Sequence, residues 1–292
     1  MLPRKLSDYI RPSSRIMMSI LTCLMMAGGL GGYGASAESL AIAGALSYQG
    51  SAIQGGMISA KLPDEATAML DGAPLPVSEN GYIAFGFHRD DTARARLVIT
   101  HNDGTIHLTD LTPTKRSYKT QSITGLAGKY VSPPQETLER IASDRRNVAD
   151  ARAVLSLADM FITDGLDWPL QGTITGIYGS QRILNGQPRA PHYGIDIAAP
   201  TGTPVIAPAD GIITLADDLY YTGGTLIIDH GLHISSTLLH LQTMTVDVGD
   251  RVTAGMVIGT VGSTGRSTGP HLDWRINWNE KRLDPQLAII KP

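Results

Sequence analysis

Thr203-Pro-Val-Ile-Ala207, Gly211-Ile-Ile-Thr-Leu-Ala216, Thr225-Leu-Ile-Ile-Asp229, Ile234-Ser-Ser-Thr-Leu-Leu-His-Leu241 and Met256-Val-Ile-Gly-Thr-Val261 are short runs rich in Val, Ile, Leu and Thr. Turn signals separate them: Pro208-Ala209-Asp210-Gly211, Thr222-Gly223-Gly224 and Val248-Gly249-Asp250. β-branched side chains fit a pleated surface, and Gly, Asp and Pro supply the dihedrals a tight turn needs. No helical period of useful length intervenes. Residues 166–292 therefore read as an all-β domain.

Upstream the pattern changes. Pro133-Pro134 is followed by Leu138, Ile141, Val148, Leu155 and Phe161 among charged residues. This predicts a helical connector over 133–165, one helix or two short ones between Gln135 and Phe161. Residues 38–132 read as β again, with turns at Asp71-Gly72, Asn80-Gly81 and Asn102-Asp103-Gly104. Arg96–Thr100 and Thr105–Leu108 around Asp103-Gly104 form a good hairpin. Short strands at regular spacing predict an immunoglobulin-like β-sandwich. His88, His101 and His107 are scattered there and read as ordinary strand or surface histidines.

The N-terminus has a basic start (Arg4, Lys5, Arg11, Arg15), then an apolar run from Ile16 to Leu30 and the small-residue site Ala35-Ser36-Ala37. That order predicts a signal peptide over 1–37, hence an exported, periplasmic or envelope-associated chain with no membrane span after cleavage. Cys23, the only cysteine, falls inside it, so no disulfide is expected. Over 292 residues the charged fraction is 17%, the hydrophobic fraction 42% and the formal net charge -3. This composition favours globular folding and argues against nucleic acid as a partner.

Five of the eight histidines lie between 192 and 271. His192-Tyr193-Gly194-Ile195-Asp196 offers an imidazole and a carboxylate four residues apart, both competent zinc ligands. His240 lies downstream. Gly262 to Gly269 then leads into Pro270-His271-Leu272-Asp273. In a strand, His271 and Asp273 share a face, so one can bind a metal while the other acts on water. The glycine-rich run precedes no helix, which excludes a phosphate loop. No G-x-S-x-G elbow is present for serine-hydrolase chemistry. Arg182 could meet substrate carboxylates or form a surface ion pair. His230 reads as structural, and Trp274 and Trp278 as core or groove wall.

From about Tyr178 to Pro285 the chain resembles the lysostaphin-type, or LytM-like, zinc endopeptidases. Four blocks carry the resemblance in order: His192–Val205, Ala207–Gly211, Val248–Val252 and Gly262–His271. It implies a C-terminal lysostaphin-type peptidase domain that binds one Zn2+ per chain and hydrolyses peptide cross-links of bacterial peptidoglycan. His192 and Asp196 would be zinc ligands. His271 would be the general base or water-orienting residue, and His240 would stabilise the oxyanion. Two positions depart from the family. Asp273 stands where the third zinc ligand is usually a histidine, and Leu238 stands where a tyrosine is usual. Two carboxylates with one histidine would cancel the charge of the ion and weaken its Lewis acidity. The departures leave an alternative: a catalytically degenerate module that regulates another cell-wall hydrolase.

Overall fold

A computed structural model of the chain describes residues 41–162 and 165–288. The expected signal peptide, with Cys23, lies outside the described residues. Among the described residues no helix is long and apolar enough to cross a membrane.

The N-terminal part holds seven strands: β1 (Ser47–Gly50), β2 (Met57–Lys61), β3 (Thr67–Leu70), β4 (Ala73–Leu75), β5 (Tyr82–Gly86), β6 (Ala95–Thr100) and β7 (Ile106–Leu111). They form two antiparallel sheets, ordered β1-β2-β5 and β4-β3-β6-β7. Period-two alternation drives the packing. In β6, Ala95, Leu97 and Ile99 are buried while Arg96 is exposed. They join Ile58, Ile83 and Phe85 of the other sheet in one apolar core. The predicted hairpin is β6–β7; its turn uses Gly104 at φ +83°, and the Asp103 carboxylate accepts from Thr105 N at 2.8 Å.

Strand β8 (Thr120–Ile123), a helical turn α1 (Gly128–Val131) and a 3-10 turn (Gln135–Thr137) lead into α2 (Leu138–Ala153). The helix packs Val148 and Ala151 on Leu215, Leu219 and Ile227. It ends earlier than the apolar pattern predicts. Val154 is already extended, at φ −58° and ψ 126°. Ser156 O then accepts from Leu232 N at 2.8 Å, so a turn distant in the chain competes with the helix for the backbone of this segment.

The C-terminal strands are β9 (Thr173–Gly176), β10 (Gln181–Leu184), β11 (Gln187–Arg189), β12 (Ile195–Ala198), β13 (Pro204–Ile206), β14 (Gly211–Leu219), β15 (Gly223–Gly231), β16 (Ile234–Met244), β17 (Arg251–Val252), β18 (Val257–Val261), β19 (His271–Trp278) and β20 (Lys281–Leu283); a short α3 (Pro285–Ala288) follows. Ten of them make one sheet along β17-β14-β15-β16-β19-β12-β9, with β13–β18 joined to β16 and β20 to β19. Every residue of β15 is buried, which suits its apolar centre Leu226-Ile227-Ile228. Trp274 is fully buried against Trp168, and Trp278 is buried as well. The described protein is mainly β.

The N-terminal and C-terminal parts share one core, in which Phe85 and Leu283 both lie. Polar ties reinforce it. Arg116 Nη2 lies 2.8 Å from Asp284 Oδ2, on a side chain only 1% exposed. Arg89 Nε donates to Gly179 O at 2.7 Å, and Tyr178 OH to Arg282 O at 2.7 Å. Strands β10 and β11 stand aside as a hairpin, and β8 joins β10 in parallel, Thr120 opposite Gln181 and Ile123 opposite Leu184.

Candidate metal centre

Strand pairing brings the two carboxylates together. Strands β12 and β19 run antiparallel with Asp196 directly opposite Asp273 and Ala198 opposite His271. Same-face neighbours in β19 are two residues apart, so His271, Asp273 and Arg275 project to one side. His192 sits in the loop before β12. Its N–H donates to Ser180 O at 2.8 Å, and its carbonyl accepts from Gly179 N at 2.7 Å. Gly194 between the two potential ligands is required by contact. A Cβ there would meet Trp274 O at 2.5 Å and Asp273 Oδ1 at 2.7 Å. Gly176 likewise makes room for the carboxylate of Asp196, since its Cβ would stand 2.0 Å from Oδ2.

His240 is placed by a bulge. The register of β15 with β16 slips between Gly224 and Leu226, and His240 takes φ +65°. Bulges re-aim side chains, and a left-handed non-glycine residue stores strain that such sites tolerate. The result is a His240–His271 pair with ring centroids 4.8 Å apart.

His192 Nε2 lies 3.1 Å from Asp196 Oδ1 and 3.4 Å from Asp273 Oδ2. All three side chains are buried. Yet His192 Nε2 and Asp196 Oδ1 have no hydrogen-bond partner. Buried polar atoms are rarely orphaned, so the arrangement calls for a cation between them. Tetrahedral zinc bonds of about 2.0–2.1 Å place ligand atoms roughly 3.3 Å apart, close to the spacing seen. Among the described residues no other group of three His, Cys, Asp or Glu converges in this way.

Two arginines complete the surroundings. Arg275 holds Asp273 in a fork, Nε to Oδ1 at 2.9 Å and Nη2 to Oδ2 at 2.6 Å. Arg182 Nη2 donates to Asp196 Oδ2 at 2.7 Å. Arg182 is thus a buried partner of Asp196, with 16% of its side chain exposed, rather than a surface ion pair. Burial alone would raise the Asp273 carboxyl, but Arg275 and His192 hold it well below the usual carboxylate range. Burial would raise Asp196 too, and His192 and Arg182 hold it down. Burial would lower His192, but the charges of Asp273 and Asp196 raise it. Arg275 was legible in principle, two residues beyond Asp273 on the same strand face. Nothing in the sequence, however, marks it as the residue that grips both oxygens of Asp273.

The paired imidazoles have defined tautomers. His271 Nδ1 lies 2.8 Å from Gly269 O, and His240 Nδ1 lies 2.8 Å from Thr264 O. Carbonyls only accept, so both Nδ1 atoms carry hydrogen and a neutral ring leaves an acceptor lone pair on Nε2. His271 Nε2 lies 3.8 Å from Asp196 Oδ1, facing the triad. Burial pushes His240 down to about 4. An oxyanion-stabilising role for His240 would therefore require an added proton. His230 and His101 are structural in their contacts. His230 is buried between Asp210 O (2.7 Å) and Ser236 Oγ (2.8 Å), and His101 Nε2 lies 2.8 Å from Gly44 O.

Asp196, His240 and His271 line a cleft of about 300 Å³. One wall is the His271 loop; another is β10 with Gln121 and Ile123 of β8 and Leu126 just after it.

The C-terminal region thus combines a ten-stranded sheet, a buried His–Asp–Asp triad and two flanking histidines. Residues 190–285 match peptidase family M23, and the region is a peptidase M23 domain. Over 101 residues the chain is 41% identical to the peptidoglycan DD-endopeptidase ShyA of Vibrio cholerae, 35% of this chain and 24% of that one. Over 102 residues it is 45% identical to the DD-carboxypeptidase/endopeptidase Mpg of Neisseria meningitidis, again 35% of this chain and 24% of that one. These matches span about a quarter of the relatives' length. A crystal structure from Pseudomonas aeruginosa assigned to peptidase M23 superposes with a TM-score of 0.62 at 28% identity, covering 82% of this chain and 95% of that one. Coverage that wide extends beyond the M23 domain into the N-terminal strands.

Proposed function

We propose that the protein is a zinc metalloendopeptidase that hydrolyses peptide cross-links of bacterial peptidoglycan in the cell envelope. The observation that carries this reading is the pair of orphaned buried atoms, His192 Nε2 and Asp196 Oδ1, facing Asp273 and His271. His192, Asp196 and Asp273 would hold one zinc. The ion, when bound, lowers the pKa of water and polarises a scissile carbonyl. His271 Nε2, lone pair outward, takes the proton from the attacking water. Gly269 O fixes that tautomer. His240 closes the same side, its Nδ1 hydrogen held by Thr264 O and its neutral Nε2 left to accept from water. Arg182 and Arg275 each offset one carboxylate charge, so the ion's Lewis acidity is not cancelled by its ligands.

The N-terminal strand orders, β1-β2-β5 and β4-β3-β6-β7, support an immunoglobulin-like sandwich over 38–132. The connector over 133–165 and the peptidase domain over 166–292 complete the proposed division.

The Arg275 fork favours a second reading. It engages both oxygens of Asp273, as would suit a metal-free module that regulates another cell-wall hydrolase. Zinc content and hydrolysis separate the two. The enzyme should carry close to one zinc per chain, lose it in Asp196→Ala and release peptides of defined mass from purified sacculi. A chain without zinc that leaves sacculi intact is the regulator.

A further inference from the structure

Beside the metal centre lies a second cavity of about 320 Å³ lined by five arginines, Arg145, Arg182, Arg189, Arg266 and Arg275. His192 also borders it, and it shares Arg182, Leu184 and Arg266 with the catalytic cleft, so the two spaces adjoin. No acidic residue lines it. Arg182 and Arg275 are matched by Asp196 and Asp273. Among the described residues the other three arginines have no salt bridge to a carboxylate. Arg189 donates only to the carbonyls of Pro188 and Val131 and to Gln187. Arg266 is half-buried over the Tyr221 ring, 4.9 Å from its centroid. Its pKa is lowered, first by burial and then by the charges of Arg275 and Arg182. Arg266 is the arginine whose charge is half-buried without a carboxylate beside it, an arrangement that an anion in the cavity would relieve. The planar donors of a guanidinium suit a carboxylate.

We infer that this arginine-lined cavity is a subsite for a free carboxylate of the substrate peptide, an inference that rests on the peptide-cleaving reading above. The cavity abuts His192, so a peptide bond presented to the triad places a neighbouring carboxylate within reach of Arg266. Such a subsite would select anionic peptides over neutral ones of the same length.

The test uses two short synthetic peptides, identical except that one bears a free carboxylate and the other a carboxamide. Binding to the full chain is measured in EDTA by calorimetry, so that neither hydrolysis nor metal ligation contributes. The carboxylate peptide should bind at least about tenfold more tightly, with an advantage that falls as salt rises. Arg266→Gln should abolish the preference at an unchanged thermal midpoint, and Arg266→Lys should keep part of it. Equal affinity for the two peptides, no binding of either, or a preference that survives in Arg266→Gln overturns the subsite. Digestion of sacculi by the zinc-loaded chain is a separate readout. A chain that shows the preference in EDTA but never cleaves keeps the subsite and loses the enzymatic reading.

Discussion

Replacing Arg275 with methionine isolates what its fork does for Asp273. The Asp273 side chain is 1% exposed and that of Arg275 is 21% exposed. Removing one member of a buried pair typically costs about 3–5 kcal/mol, because the remaining charge is left without its partner. His192, 3.4 Å away, still offers partial compensation, which argues for the lower end, about 3 kcal/mol. For a chain of this size 1 kcal/mol moves the unfolding midpoint by roughly 2–4 °C, so Arg275→Met should lower it by about 6–12 °C in EDTA. Zinc should reverse much of this loss, since a cation ligated by Asp273 supplies the missing positive charge. The assay is thermal unfolding of both proteins with EDTA and with stoichiometric zinc. A variant as stable as wild type in EDTA would refute the electrostatic account. An equal loss with and without zinc would show that Asp273 is no ligand.

His271→Ala should keep zinc and lose roughly 10²–10⁴ in hydrolysis rate, because the base is distinct from the ligands; loss of metal instead would make His271 a ligand. Gly176→Ala should release zinc while far-UV dichroism stays unchanged, as its Cβ would collide with Asp196 Oδ2; full retention of zinc would contradict the close approach. Asp229 tests a site outside the cleft: burial raises its carboxyl to about 6, with only Gly231 N donating to Oδ1. Its folded pKa lies above the unfolded value of 3.8, so the charge penalises folding fully above pH 6 and not at all below about 4. Asp229→Asn should therefore stabilise the protein at pH 7–8, with a gain that vanishes toward pH 4 in thermal midpoints; a gain independent of pH would exclude the ionic cause.

The C-terminal strands were legible because Val, Ile and Thr runs between Gly and Asp turns have few other solutions. His192, Asp196, His271 and Asp273 could be singled out by residue type and short spacing. Sequence could not foresee that Asp196 and Asp273 stand opposite one another, since that depends on the register of β12 against β19. The bulge that turns His240 inward is equally a product of pairing. Local apolar spacing at Leu155 and Phe161 suggested helix, but a distant backbone donor, Leu232 N, claims Ser156 instead. The arginine cavity draws on α2, β10, β11, β19 and the loop at Arg266, elements far apart in the chain.

The parallel strand β8 has a consequence for where this protein can be cut. A fragment starting at residue 166 would contain His192, Asp196 and Asp273 and still lack Gln121, Ile123 and Leu126 of its own cleft. It would also leave β10 as a bare strand edge, offering unpaired N–H and C=O groups to any extended chain nearby. Such a fragment invites edge-to-edge association. The smallest piece that keeps both the cleft and a sealed edge begins before Thr120, well inside what composition assigns to the preceding domain.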